Sequence, residues 1–212
     1  MKLIKQRFEI LDNIDGAEIL RKIEACGRTC YKSESAITDD SAKAFVARII
    51  KSGHHSVLEH VNVSARLITN RGVLAELTRH RLASYSVEST RYCNYGNKEM
   101  EFIEPVWLLR SGYEKMQFES ALEECENTYN DLIASGWRPE QAREVLPNAL
   151  KTEIIITANL REWRHIFTLR CAKAAHPQIR DLMMNGLLQF NQLIPVVFDD
   201  IYEKFHLDDI KY

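Results

Sequence analysis

The stretch from Arg79 to Tyr92, RHRLASYSVESTRY, holds three arginines, a histidine, four Ser/Thr hydroxyls and two tyrosines. A guanidinium presents a planar fork of donors that matches phosphate or carboxylate oxygens, and hydroxyls with free backbone N–H groups complete a cradle for the anion. The chemistry on offer is therefore anion binding. A second group is GHHSVLEH, residues 53–60, with three histidines and a glutamate. It lacks HExxH, and His55 to Glu59–His60 is one residue too long for HxxEH, which argues for capping, packing or ligand contact and against a metal. A third group, Asn159, Arg161, Arg164, His165 and Arg170, lies on one segment, where Arg161 and His165 share a helix face.

Each group also has a plain structural reading, and the residues alone leave both open. Glu76 is spaced to share a face with Arg79 and His80 at the end of a charged helix that runs to Arg81, where surface ion pairs are common and weak. Asn159 can be only an N-cap, Arg170 only a cation favoured in the last turn of its helix, and Arg143 only a surface arginine. The chain has no GxGxxG, no Walker A and no GxSxG pattern, so neither a Rossmann phosphate loop nor a nucleophile elbow is expected.

Several elements must position these groups. KLIKQRFEIL suits an opening strand, and GAEILRKIEACGRTCY a helix with Ile19, Ile23 and Cys26 near one face. DDSAKAFVARIIKSGH reads as a helix with Asp40 or Ser41 as N-cap and Gly53 at its end. HVNVSARLIT alternates, with Val61, Val63, Ala65 and Leu67 on one side, as a half-buried strand does. NRGVLAELTRHRL is expected to be helical and SYSVESTRYCNYGN to be a loop. A long helix spans 113–135 before Gly136, and Pro139 opens another across PEQAREVLPNAL. TEIIITANL suits a central buried strand. Asn159 and Glu162 have capping-box spacing ahead of the helix LREWRHIFTLRC. PQIRDLMMNGLLQFNQL and PVVFDDIYEKF close the chain as helices. The expected fold is α/β in the α+β sense, helix-rich with a small mixed or antiparallel sheet, and residues 1–212 form one domain.

The totals narrow the function. The chain has 212 residues, 45% hydrophobic and 27% charged, with a formal net charge of -2. A protein that tracks nucleic acid along its backbone carries a basic excess, so the arginines serve a small anion better than a polymer. No apolar run approaches the roughly 18 residues of a membrane span, and no secretory signal is visible. A cytoplasmic protein is expected. The five cysteines are odd in number and lack a CxxC pair, so they read as reduced, mostly buried small hydrophobes.

Arg79-His80-Arg81, seven residues and then Ser89 resembles the RHR-x7-S signature of the flavin-dependent thymidylate synthases. GHHSVLEH resembles the segment that precedes it in that family, STRY closes the motif, and AREVLP, NLREW and TLRC follow in the family's order and spacing. The likeness covers residues from about 40 to 180. It implies a mixed α/β homotetramer that binds FAD at sites shared between subunits. The implied reaction makes dTMP from dUMP, with 5,10-methylenetetrahydrofolate as carbon donor and NADPH reducing the flavin, without a cysteine nucleophile and without a metal. The implied partners are these substrates and other copies of the chain, and neither nucleic acid nor membrane.

The resemblance also assigns residues. FAD would meet His54, Ser56, Arg79, His80, Arg81, Val87, Asn159, Arg161 and His165. The nucleotide would meet Glu76, Leu77, Thr78, Arg79, Val87, Glu88, Arg143 and Arg170, with its phosphate on Ser89, Thr90 and Arg91. Arg170 would be catalytic, stabilising negative charge on the uracil ring. Val87 stands where many members have glutamate, Glu76 where glutamine can occur and His165 where another member type has asparagine. Other readings are a flavoenzyme acting on a different nucleotide, an RNA-binding protein that uses the arginines, and a structural helical protein.

Overall fold

The computed structural model describes residues 1–96, 98–108 and 112–206. Its centre is a four-stranded antiparallel sheet in the order β2 (Arg7–Ile10), β3 (Asn62–Asn70), β6 (Lys151–Asn159), β4 (Ala83–Val87). β3 alternates as expected, with Val63, Ala65, Leu67 and Thr69 buried. β6 is central, but only Thr152, Ile154, Ile156 and Ala158 are fully buried; the intervening residues are half-exposed. A two-stranded parallel sheet pairs β1 (Lys2–Ile4) with β5 (Glu101–Ile103).

One face of the larger sheet is covered by α1 (Gly16–Tyr31), α2 (Ser41–Lys51), α6 (Leu160–Arg170), α7 (Pro177–Leu193) and α8 (Asp199–His206), which share its hydrophobic cluster. α6 is fixed firmly. Asn159 accepts from Glu162 N at 2.9 Å as N-cap, Trp163 Nε1 donates to Val63 O at 2.9 Å, and Arg164 forks onto Asp200 at 2.7 Å. Phe8, Trp163, Phe167, Phe190 and Phe198 meet edge to face or stacked beneath it. Gly186 of α7 has a packing reason: an added Cβ would lie 2.6 Å from the Phe8 ring. A second cluster, around Met100, Phe102 and Leu150, is covered by α4 (Tyr113–Ala134).

Several expectations change. The opening segment is two strands in different sheets, β1 and β2, broken at Lys5–Gln6. The helix expected to reach Arg81 is α3 (Arg71–Leu77); Arg79, His80 and Arg81 lie beyond it, because the Tyr85 hydroxyl sits 2.8 Å from Leu77 O and 2.6 Å from His80 O and fixes a turn there. The stretch expected as a loop contains β4, recruited by the open edge of β6; Ala83 and Tyr85 alternate with the exposed Ser84 and Ser86, a pattern only five residues long that runs straight into hydroxyl and turn residues. Asn97, the last residue of that stretch, lies outside the described residues. PEQAREVLPNAL is only α5 (Pro139–Ala142) and a 3-10 turn over Arg143–Val145, since Pro147 holds Leu146 extended at ψ 132. α8 begins later than the segment PVVFDDIYEKF suggested, and β5 was not foreseen. All five cysteines are free, but only Cys171 is buried; Cys30 is exposed and Cys26, Cys93 and Cys125 are partly so.

Candidate functional site

At the Ala83 end of β4, two helix ends meet. Arg170, in the last turn of α6, donates from Nη1 to Glu76 Oε2 at 2.9 Å, from Nη2 to Glu76 O at 2.9 Å and from Nε to His80 Nε2 at 2.9 Å. Glu76 belongs to α3, so its charge is spent on Arg170 and not on Arg79 or His80 as helical spacing suggested. His80 is buried, with Glu162 Oε1 3.7 Å from Nδ1 and the His165 ring edge-on at 5.8 Å. Burial lowers the His80 pKa to about 4; the charges of Arg170 and His165 push the same way, and Glu162 does not offset them. Burial likewise raises the Glu162 pKa. Tyr85 is pushed up to about 12, by burial first and then by Glu162.

His80, Glu162 and His165 gather ligand atoms within 4.8 Å of one another, a grouping the sequence did not reveal. Arg170 already occupies His80 Nε2, and a fixed guanidinium beside the group repels a dication.

At the Val87 end of β4 lies the hydroxyl loop. Ser89 Oγ accepts from Arg91 N at 3.3 Å, and Arg143 Nη1 donates to the buried Thr90 hydroxyl at 3.4 Å. Arg91 is exposed, rests 5.3 Å from the Tyr92 ring centroid and reaches Glu140 Oε2 at 3.3 Å. The root of this loop is Glu88. Its carboxylate accepts from Tyr95 OH at 2.8 Å and Lys151 Nζ at 3.1 Å, and its backbone N donates to Glu153 O at 2.9 Å. Burial works against the Lys151 ammonium, but Glu153 and Glu88 outweigh it and its pKa is raised. Burial and the bond to Glu88 raise the Tyr95 pKa as well.

A third group lines a cleft beside α1 and α2, bordered by Tyr31, Gly53, His54, Ser56 and Arg161. Tyr31 OH and His54 Nδ1 are 3.4 Å apart, and Arg161 pairs with Glu59 at 2.5 Å. His55, by contrast, turns inward onto Ile50 O at 3.2 Å, a packing role.

The structure thus brings Glu76, His80, His165 and Arg170 together, and separately Glu88, Ser89, Thr90, Arg91 and Arg143; His54, Ser56 and Arg161 form the third group. The five residues of β4 separate the first two groups by about 17 Å at the rise of an extended strand. Arg79 and Arg81 are exposed, and among the described residues no carboxylate pairs with them. Val87 ends β4 half-open to solvent. Three of the named side chains are already engaged within the chain: Leu77 is fully buried in the core, the Thr78 hydroxyl donates back to Leu74 O at 3.2 Å, and the Glu88 carboxylate accepts from Tyr95 and Lys151. Asn159 Oδ1 is spent on the α6 cap. Sequence reasoning missed Tyr85, Tyr95, Lys151 and the second role of Glu162. Only Glu162 carried a signal, since it stands three residues before His165 on one helix.

The guanidinium groups and hydroxyls at the two ends of β4 are groups that can hold an anion. The chain belongs to the flavin-dependent thymidylate synthases: residues 10–196 match the family described as "Thymidylate synthase complementing protein". The flavin-dependent thymidylate synthase of Geobacter sulfurreducens is 34% identical over 185 residues, 84% of this chain and 80% of the relative. That of Pyrococcus abyssi is 34% identical over 174 residues, 78% and 70% respectively, and that of Mycobacterium tuberculosis H37Rv 34% over 204 residues, 88% and 80%. The fold is also that of a UMP/dUMP methylase, PolB from Streptomyces cacaoi, solved with 5-Br dUMP, at a TM-score of 0.79 and 20% identity over 97% of this chain and 98% of that one. No helix among the described residues is long and apolar enough to cross a membrane.

Proposed function

We propose that this chain, as one domain, is a flavin-dependent thymidylate synthase that converts dUMP to dTMP, with methylenetetrahydrofolate as carbon donor and NADPH as reductant. The observation that carries the reading is the Arg170 guanidinium, held at a helix end by Glu76 and His80, in a chain of this family. A cation fixed before the reaction stabilises charge that develops on the uracil without reorganising. When bound, FAD supplies the hydride chemistry.

The residues present fit the flavin. Arg79 and Arg81, two positions apart, are exposed cations without a carboxylate partner among the described residues, which suits a pyrophosphate. His54, Ser56 and Arg161 line an open cleft, Asn159 keeps its amide N–H donors beyond its cap bond, and Val87 and His165 are exposed enough to be reached. The dUMP phosphate sits on Ser89 Oγ, Thr90 and the guanidinium groups of Arg91 and Arg143, and Arg170 faces the uracil. One mononucleotide does not span the length of β4. The two groups therefore meet across subunits, the hydroxyl loop of one protomer completing the Arg170 site of another in a homotetramer.

The test is turnover with labelled dUMP, with flavin, NADPH and methylenetetrahydrofolate present. The reading expects dTMP in the wild type and a rate lower by on the order of 10²–10³ in Arg170→Ala; dTMP formed at the parent rate by that variant overturns the catalytic assignment. Mixing Arg170→Ala with Ser89→Ala/Arg91→Ala subunits would restore activity at a fraction of sites if the sites are shared.

A further inference from the structure

We propose that Glu162 is a positioning residue for Arg170, acting through His80 by fixing which ring nitrogen of that histidine carries the proton. The inference rests on the role proposed for Arg170. Arg170 Nε is a donor and lies 2.9 Å from His80 Nε2, so Nε2 must present its lone pair. The proton of the neutral ring is then on Nδ1, which faces Glu162 Oε1 at 3.7 Å. Which nitrogen of a histidine is protonated is set by what the other meets. A carboxylate before Nδ1 favours the Nδ1–H form; without it the Nε2–H form becomes accessible, and two N–H donors then oppose each other at the Arg170 contact.

The surroundings leave His80 little freedom. Its charged or titratable neighbours are Arg170, Glu162 and His165, the last edge-on to the ring, with Glu76 on the far side of Arg170; the Tyr85 hydroxyl binds its carbonyl. The ring is 5% exposed and Glu162 is 6% exposed, so water does not readily substitute for either partner. Burial keeps the ring neutral down to about pH 4, so it accepts from Arg170 throughout the neutral range. Glu162 also sits in the first turn of α6, with its backbone N capped by Asn159. The helix therefore places both ends of the chain Glu162–His80–Arg170.

The test uses Glu162→Gln and Glu162→Leu in the flavin-loaded enzyme. Glutamine still offers an oxygen to Nδ1–H, whereas leucine offers nothing. Leucine is expected to lower the rate of dTMP formation about tenfold, the scale of one pK unit of lost electrostatic preference for the Nδ1–H form. Flavin content and dUMP affinity should stay within about twofold, and glutamine should recover most of the rate. In parallel, 15N NMR of the histidine rings, with the His80 signal identified by its loss in His80→Gln, should show Nδ1–H in the wild type and Nε2–H in Glu162→Leu. A wild-type Nε2–H ring, an unchanged tautomer and rate in Glu162→Leu, or equal loss in both variants would overturn the proposal. A wild-type Nδ1–H ring that shifts in Glu162→Leu, in an enzyme making no dTMP, would uphold the positioning and remove the function proposed for the site.

Discussion

At the Ala83 end of β4, every N–H-bearing nitrogen of the Arg170 guanidinium has a protein acceptor, and the histidine beside it is buried and neutral. At the Val87 end, Arg91 and Arg143 are exposed, and each guanidinium makes one side-chain hydrogen bond, at 3.3 Å and 3.4 Å, beside looser contacts to the Tyr92 ring and to Glu144. The contrast separates two ways of meeting an anion. A fixed cation costs nothing to organise at the moment charge develops and so favours a transition state. An open cradle of long side chains orders on the ligand and favours ground-state binding. The buried end should therefore govern turnover, and the open end affinity.

The largest effect that could break this contrast is Arg170→Ala, expected to lower turnover by on the order of 10²–10³, measured as dTMP formed under saturating dUMP. A change confined to KM would place Arg170 with the cradle. Ser89→Ala combined with Arg91→Ala should act the opposite way, weakening dUMP binding about tenfold or more in a calorimetric titration, while NADPH reduction of the flavin without dUMP is unchanged. A smaller effect sharpens the picture at the root of the loop. Tyr95→Phe removes one bond to Glu88 and should raise the dUMP KM about threefold, with turnover at saturation preserved.

A pH experiment distinguishes the ends without ligand. The folded-state pKa of His80 is about 4, below its ordinary 6.5. The unfolded chain therefore binds the extra proton between those values. Stability from this group is full above about pH 6.5 and declines as pH falls toward about 4. In chemical denaturation, His80→Gln should flatten that acid limb by up to one proton's worth of slope. Removing Arg91, which is exposed, should leave the limb unaltered.

The sequence revealed more of the elements than of their joins. Period and caps announced α1, α2, β3, α4, β6 and α6, because those signals are local. Asn159 and Glu162 marked the start of α6 correctly. β4 escaped because it is only five residues long, runs into hydroxyl and turn residues, and takes its pairing from β6, about 70 residues later. The end of α3 escaped because a tyrosine hydroxyl from β4 sets it. The RHR motif indicated the chemistry of the site, but helical spacing assigned Glu76 to the wrong partners. Its real partner, Arg170, is 94 residues away, and nothing in either segment announces the meeting. Tyr95 and Lys151 were illegible for the same reason: their role exists only once β4 and β6 are paired.

The measurement that tests the central claim most directly is the visible absorption spectrum of the purified protein, recorded before and after adding FAD, then NADPH, with and without dUMP. The account predicts a bound-flavin spectrum that NADPH bleaches, with dTMP appearing once dUMP and methylenetetrahydrofolate are supplied. A protein that holds no flavin and takes up none from excess FAD would contradict it.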